Sequence, residues 1–249
     1  MLTIGISDYG DKATNLKLNF AARDAQDVAN ALANTQEGGL YAEVNPIFLH
    51  DGEASKNAIT DALGDVARNM AKGTGQDLAV VMFSGHGVMI EKQFYLVPYG
   101  VDSSPIGMQH LANETIRADD FRNRLEKLAE HGRVLVLLDA CRSAGMIGGF
   151  PAADLLRSVV NGSGVTVLTS SSADKVSRED EKWARHGAFT KALLDALFDP
   201  YRVDTNRDGM ISMSELTAYM DTHLTELTDG DQKLGLDQRF QGDIFVDHL

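Results

Sequence analysis

Leu78-Ala79-Val80-Val81-Met82-Phe83-Ser84-Gly85-His86-Gly87 and Arg133-Val134-Leu135-Val136-Leu137-Leu138-Asp139-Ala140-Cys141-Arg142-Ser143 follow one pattern. Each is a near-continuous apolar run that ends in small or polar residues. A strand buried on both faces of a sheet needs such a run, because both rows of its side chains leave water. Residues 2–6, 44–49 and 164–169 are runs of the same kind. Between the runs, apolar residues recur at helical spacing: Ala21, Ala25, Val28, Ala29 and Leu32; Ile59, Leu63, Val66, Ala67 and Met70; Phe121, Leu125 and Leu128; Phe189, Ala192, Leu193, Ala196 and Leu197. These are single buried helix faces. Strands that alternate with such helices predict an α/β fold with a mostly parallel central sheet and helices on both faces.

Composition narrows the function. The 249 residues are 43% apolar and 24% charged, as expected of a folded globular chain. Lysine and arginine number 23 against 36 acids, a formal charge of −13, which argues against a duplex-binding face. A single cysteine, Cys141, excludes an internal disulfide and any zinc site with two thiolates. No apolar stretch approaches the roughly 18 residues of a membrane span. Met1-Leu2-Thr3-Ile4-Gly5-Ile6 has no basic leader and reads as a first strand, so the expected location is cytoplasmic.

In parallel sheets, catalytic groups collect beyond the carboxyl ends of the strands. Here that rule places His86 on one loop and Cys141 on another, at the same sheet edge. An imidazole beside a thiol raises its thiolate fraction or takes its proton during attack. The glycines around His86 let backbone approach a substrate, and the amides of Gly87 and Cys141 are candidate oxyanion donors, worth roughly 3–4 kcal/mol each. The six other histidines (His50, His110, His131, His186, His223, His248) lack this setting and read as surface or loop residues.

Asp139-Ala140-Cys141-Arg142-Ser143, with His86 55 positions upstream of Cys141, resembles the caspase signature. Ile4-Gly5-Ile6-Ser7-Asp8-Tyr9, Ala22-Arg23-Asp24-Ala25, Ser170-Ser171-Ser172-Ala173-Asp174 and His186-Gly187-Ala188-Phe189-Thr190 extend the likeness over nearly the whole chain. The sequence is identified as a member of the caspase and metacaspase clan, most similar to its bacterial caspase-like members. That resemblance implies the caspase–hemoglobinase fold, with one domain over 1–249, a larger part of about 1–150 and a smaller part over 151–249. It also implies a cysteine endopeptidase acting on protein or peptide substrates through His86 and Cys141. Caspases carry glutamine where this chain has Asp139. An acid there reverses the pocket's preference toward a cation. Metacaspase-like proteins also have aspartate at this position and cut after arginine or lysine. The resemblance maps the rest of their P1 pocket onto Asp24 and Ser84, with Asp174 a weaker third acid. Arg157 and the basic segment Lys175 to Arg185 offer sites for activation by cleavage.

Residues 204–215, Asp-Thr-Asn-Arg-Asp-Gly-Met-Ile-Ser-Met-Ser-Glu, fit the calcium-loop pattern D-x-[DN]-x-[DN]-G-x5-E. Asp204, Asn206, Asp208, the Met210 carbonyl, Ser212 and Glu215 are the expected Ca2+ ligands. Pro200 interrupts the incoming helix, and no second loop is present as a partner. Two other functions share these residues: a non-catalytic, calcium-responsive interaction domain of the same fold, and acyl transfer or ester hydrolysis by the same dyad.

Overall fold

The five apolar runs become five mutually parallel strands of one sheet. In a computed structural model that describes residues 1–34, 40–91, 93–102, 112–142, 164–171, 179–238 and 245–248, these are β1 (Leu2–Gly5), β2 (Ile47–His50), β3 (Leu78–Ile90), β6 (Arg133–Arg142) and β7 (Val165–Ser171). The sheet order is β11-β7-β6-β3-β1-β2, with β11 (Lys233–Gln238) antiparallel to β7 at one edge. Two short strands, β4 (Gln93–Leu96) and β5 (Ile116–Arg117), extend the sheet from β3. The expected α/β class and mostly parallel sheet are present.

Helices cover both faces. α2 (Lys56–Met70) and α3 (Ala118–Ala129) pack on one side, where Ile59, Leu63, Phe121 and Leu125 meet Val81, Phe83, Val134 and Val136. On the other side lie α1 (Ala21–Asn34), α4 (Ala188–Phe198) and α6 (Met213–Leu227), with Val28, Phe189, Leu193 and Met220 against Val80, Met82, Leu135 and Leu137. The alternation within each strand thus divides one apolar run between two cores. Truncating any of these large side chains to alanine costs about 2–5 kcal/mol.

Gly5 sets how close α1 comes to the sheet. A Cβ at this position would lie 2.4 Å from the Ala21 carbonyl oxygen and 2.7 Å from the Ala25 Cβ. Only a glycine under a row of alanines lets the helix sit this low. The Ser7 hydroxyl accepts the Ala22 N–H at 2.9 Å and helps fix where the helix starts.

Two expectations change. The segments read as loops around His86 and Cys141 are strand. β1 ends opposite Ser84, but beyond that point β3 gains β4 as an antiparallel neighbour, pairing Gly87 with Leu96 and Ile90 with Gln93. Val88, Ile90, Phe94 and Leu96 are buried, so the alternation that sustains a strand continues past the glycines. β2 is shorter than the run 44–49 and starts at Ile47, after Pro46, which has no N–H to donate to a ladder. No helix among the described residues is long and apolar enough to cross a membrane.

Candidate active site

His86 and Cys141 are register partners on adjacent parallel strands, β3 and β6, roughly 4.8 Å apart across the ladder. The juxtaposition comes from strand pairing itself. His86 is 5% exposed and held at three points. Its N–H donates to the Tyr9 hydroxyl at 2.6 Å, its ring lies 5.2 Å from the Tyr9 ring, and its Nε2 is 2.7 Å from the Leu16 carbonyl oxygen. A carbonyl only accepts, so Nε2 carries the proton, and in the neutral ring Nδ1 is the basic nitrogen. Leu16 ends the short 3₁₀ segment Asp11–Leu16. Neither Tyr9 nor Leu16 stood out as functional in the sequence. Tyr9 belongs to a segment that did, and an isolated buried tyrosine after a strand was its one available signal.

Gly87 is paired with Arg142 on β6 and with Leu96 on β4, so it sits inside a ladder and not on an open loop. A Cβ at Gly87 would lie 2.3 Å from the Phe94 ring. Close packing on Phe94 therefore demands a glycine here independently of any substrate.

The three acidic-pocket residues come together. Gly5, Ser84 and Asp139 lie level on β1, β3 and β6, and α1 crosses directly over Gly5, carrying Asp24. Ser84 and Asp139 are 3% and 2% exposed. The Ser170 hydroxyl donates to Asp139 Oδ1 at 2.9 Å, and the Thr190 hydroxyl to Oδ2 at 3.5 Å. Asp24 Oδ1 is 2.7 Å from His186 Nδ1, and Oδ2 accepts the Gly187 N–H at 3.1 Å. Burial drives the Asp24 carboxyl up to about 7; the His186 and Gly187 hydrogen bonds oppose this, and the nearby Asp139 charge adds to it. Asp24 stands in the first turn of α1, but its burial and partners make it far more than an acid complementing a helix dipole.

Two histidines correct the sequence reading. His186, expected at the surface, is buried against Asp24 in β9 (His186–Gly187), which pairs antiparallel with β8 (Glu179–Asp180). His223 lies in α6, where its Nε2 meets Asp195 of α4 at 2.9 Å. The dipeptide His186-Gly187 ahead of a helix was the signal for the first, since a histidine entering a buried helix start needs a partner. Asp174, Arg157, His110 and Lys175–Arg178 lie outside the described residues.

A model of the caspase domain matches residues 1–236. The chain belongs to the caspase-domain family of cysteine peptidases. No curated protein matches it. Among solved structures, the crystal structure of protein GSU0716 from Geobacter sulfurreducens is similar over 97% of this chain and 93% of that one, at 20% identity and a TM-score of 0.63. A likeness at that identity speaks for the fold.

The acidic loop of this caspase-domain chain lies between α5 (Pro200–Val203) and α6. α4 stops at Phe198 and Pro200 opens α5, so the incoming helix is broken as expected. Glu215 is the hub. Its Oε1 accepts the Thr205 and Asn206 N–H groups and the Thr205 hydroxyl; Oε2 accepts the Ser212 N–H and hydroxyl. Ser212 in turn caps α6 by accepting the Glu215 N–H, closing a capping box. Burial raises the Glu215 pKa, but these bonds outweigh it and hold the carboxyl at about 2. Asp204 likewise accepts the amides of Arg207, Asp208 and Gly209. The strand at the loop's exit, β10 (Met210–Ser212), pairs antiparallel with β12 (Phe245–His248). The oxygen donors suit calcium in kind. Among the described residues, however, no three acidic, histidine or cysteine side chains converge as metal ligands.

Proposed function

We propose that this chain is an endopeptidase that cuts after arginine or lysine through a His86–Cys141 dyad. The register that sets His86 beside Cys141, with Asp139 two residues earlier on the same strand, is the observation that carries the reading. His86 Nδ1 takes the Cys141 thiol proton, and the thiolate attacks the scissile carbonyl carbon. Charge on the carbonyl oxygen is received by the amides of Gly87 and Cys141. Because Gly87 lies within the ladder, this role requires the last β3–β6 rung to yield as substrate enters. Collapse of the tetrahedral species expels the amine, which takes the proton from His86. Water then attacks the thioester with His86 as base, the carboxylic acid product leaves, and the thiol is restored.

The P1 side chain enters the pocket of Asp24, Ser84 and Asp139. A buried carboxylate gains most from a cation, and losing one partner of such a pair costs about 3–5 kcal/mol. Peptides differing only at P1 test the reading: basic residues should be cut, and aspartate should not. Cleavage after aspartate would mean the pocket has the opposite sign.

Residues 204–215 are proposed to bind Ca2+, with Glu215 exchanging amide and hydroxyl donors for the ion. Calorimetric titration of chelator-stripped protein should show calcium binding, with magnesium much weaker because it demands a tighter octahedron. Asp204→Ala with Glu215→Gln should abolish it. Heat-silent titration of wild type would make the loop a turn closed by its own hydrogen bonds.

A further inference from the structure

A cavity of about 230 Å³ opens between α2 and α3. Lys56 and Thr60 line it from α2, and Asp120, Asn123, Arg124 and Lys127 line it from α3. Lys56 and Thr60 are one turn apart, and the four α3 residues keep the spacing of a single helix face. Two polar rows therefore meet across one space. α2 and α3 cover the sheet face opposite α1 and α4, whose Asp24 and Thr190 border the acidic pocket. The cavity is thus separate from the peptidase site.

Its positive charges are unspent. Acids outnumber lysine and arginine in this chain by 36 to 23, and elsewhere on α3 the cations find them. Arg117 meets Asp119 at 3.3 Å, and Arg122 meets Asp119 at 2.9 Å and Glu126 at 3.9 Å. Arg124 and Lys127 meet no acid among the described residues. Asp120 stands at the i, i+4 spacing from Arg124 that suits an ion pair, yet the two do not join. Lys56 donates once, to the Asn113 carbonyl at 2.8 Å, and its ammonium keeps two further donors. Lys56 and Arg124 are half-buried, where charges are screened less than on open surface. Lys56 also opens α2, a 15-residue helix, so the positive end of that helix lies on the same side.

Three cations and one acid leave an excess of two positive charges. A phosphoryl group carries roughly −1.5 to −2 at neutral pH and matches that excess, whereas a carboxylate supplies half of it. A guanidinium offers two parallel N–H bonds to phosphate oxygens, and Thr60 and Asn123 add neutral donors. The volume falls below the roughly 300–1,000 Å³ of pockets for drug-sized ligands. It suits a phosphoryl group on a short stem, not a nucleotide. We infer that the α2–α3 cavity binds a phosphoryl dianion, free or carried by a small molecule, through Arg124, Lys127 and Lys56, with Asp120 tempering its affinity.

Calorimetric titration of the full chain with inorganic phosphate and with glycerol 3-phosphate, at constant ionic strength, tests the site. Phosphate should bind saturably, and acetate and chloride should not. Arg124→Gln should weaken phosphate binding by about tenfold or more. Lys72→Gln removes the same charge beyond the other end of α2 and should weaken it by no more than about twofold. Asp120→Asn should strengthen it by about two- to fivefold. Phosphate should also raise the melting temperature of wild type and leave that of Arg124→Gln unmoved. Tighter binding of glycerol 3-phosphate would mark a phosphorylated small molecule as the occupant, and equal affinity would mark free phosphate. Absence of saturable phosphate binding, acetate bound as tightly as phosphate, or equal weakening in Arg124→Gln and Lys72→Gln would overturn the inference.

Discussion

Asp24 on α1 and Glu215 on α6 are both nearly inaccessible carboxylates, at 1% and 8% exposure, yet their proton affinities move in opposite directions. Asp24 is pushed up to about 7, because burial and the Asp139 charge outweigh its two hydrogen bonds. Glu215 is held at about 2, because donors from its own loop overcome burial. Five donors against two decide the sign, and their origin differs as well. Those of Glu215 come from within ten residues, whereas the partners of Asp24 arrive from the far side of the chain. A local loop can satisfy an acid completely. A cluster assembled by topology leaves acids incompletely neutralised, and that residual demand for a cation is what a binding pocket needs.

The largest effect belongs to the dyad, in the region assembled by topology. Cys141→Ala and His86→Ala should each lower turnover by roughly 10⁴-fold or more, measured on a P1-arginine peptide. Because His86 lies buried in β3 and not on a loop, its replacement should also lower the melting temperature, which Cys141→Ala serves to compare.

Next comes the pH dependence of stability, where the two acids should act with opposite sign. The folded pKa of Asp24 exceeds its unfolded value near 4, so the native state binds the extra proton between about 4 and 7. Its contribution must fall as pH rises through that window, by up to roughly 4 kcal/mol. Asp24→Asn should flatten the slope of melting temperature against pH between 5 and 8. Glu215, with a depressed folded pKa, contributes stability above its unfolded pKa that is lost as pH falls from about 4.5 through about 2. Equal slopes in wild type and Asp24→Asn would break the contrast.

Smaller still is the cost of emptying the local site. Glu215→Ala strands buried amides and the capping box, and should cost about 1–3 kcal/mol by urea denaturation, with peptidase activity kept. A loss of turnover beyond the loss of stability would join the two regions functionally and sharpen the case for control through the loop.

This division also explains what could be read from residue order. The five strands and the four helix faces were legible, because burial on two faces or one stripe leaves a direct mark on composition. The loop 204–215 was legible as an acidic turn, since its hydrogen bonds close within twelve residues, whereas its reading as a calcium site awaits the titration described above. His86 and Cys141 were legible through spacing, but their place within strands was not. Whether β3 continues past Gly87 depends on β4, a short strand with no strong pattern of its own. His186 was misread for a related reason: its partner Asp24 is remote in sequence, so nothing nearby announces its burial. The small-residue row Ala21, Ala22 and Ala25 against Gly5 was visible, but its meaning, a helix lying close on the sheet, appears only in three dimensions.

On the proposed reading, His86 and Cys141 cut after a base held by an acidic pocket. A fluorogenic peptide library randomised only at P1, incubated with wild type and with Cys141→Ala, tests it most directly. Arginine and lysine should account for nearly all cleavage by wild type, and Cys141→Ala should release nothing above background. Cleavage led by aspartate or by apolar residues at P1, or basic-residue cleavage that survives in Cys141→Ala, would contradict it.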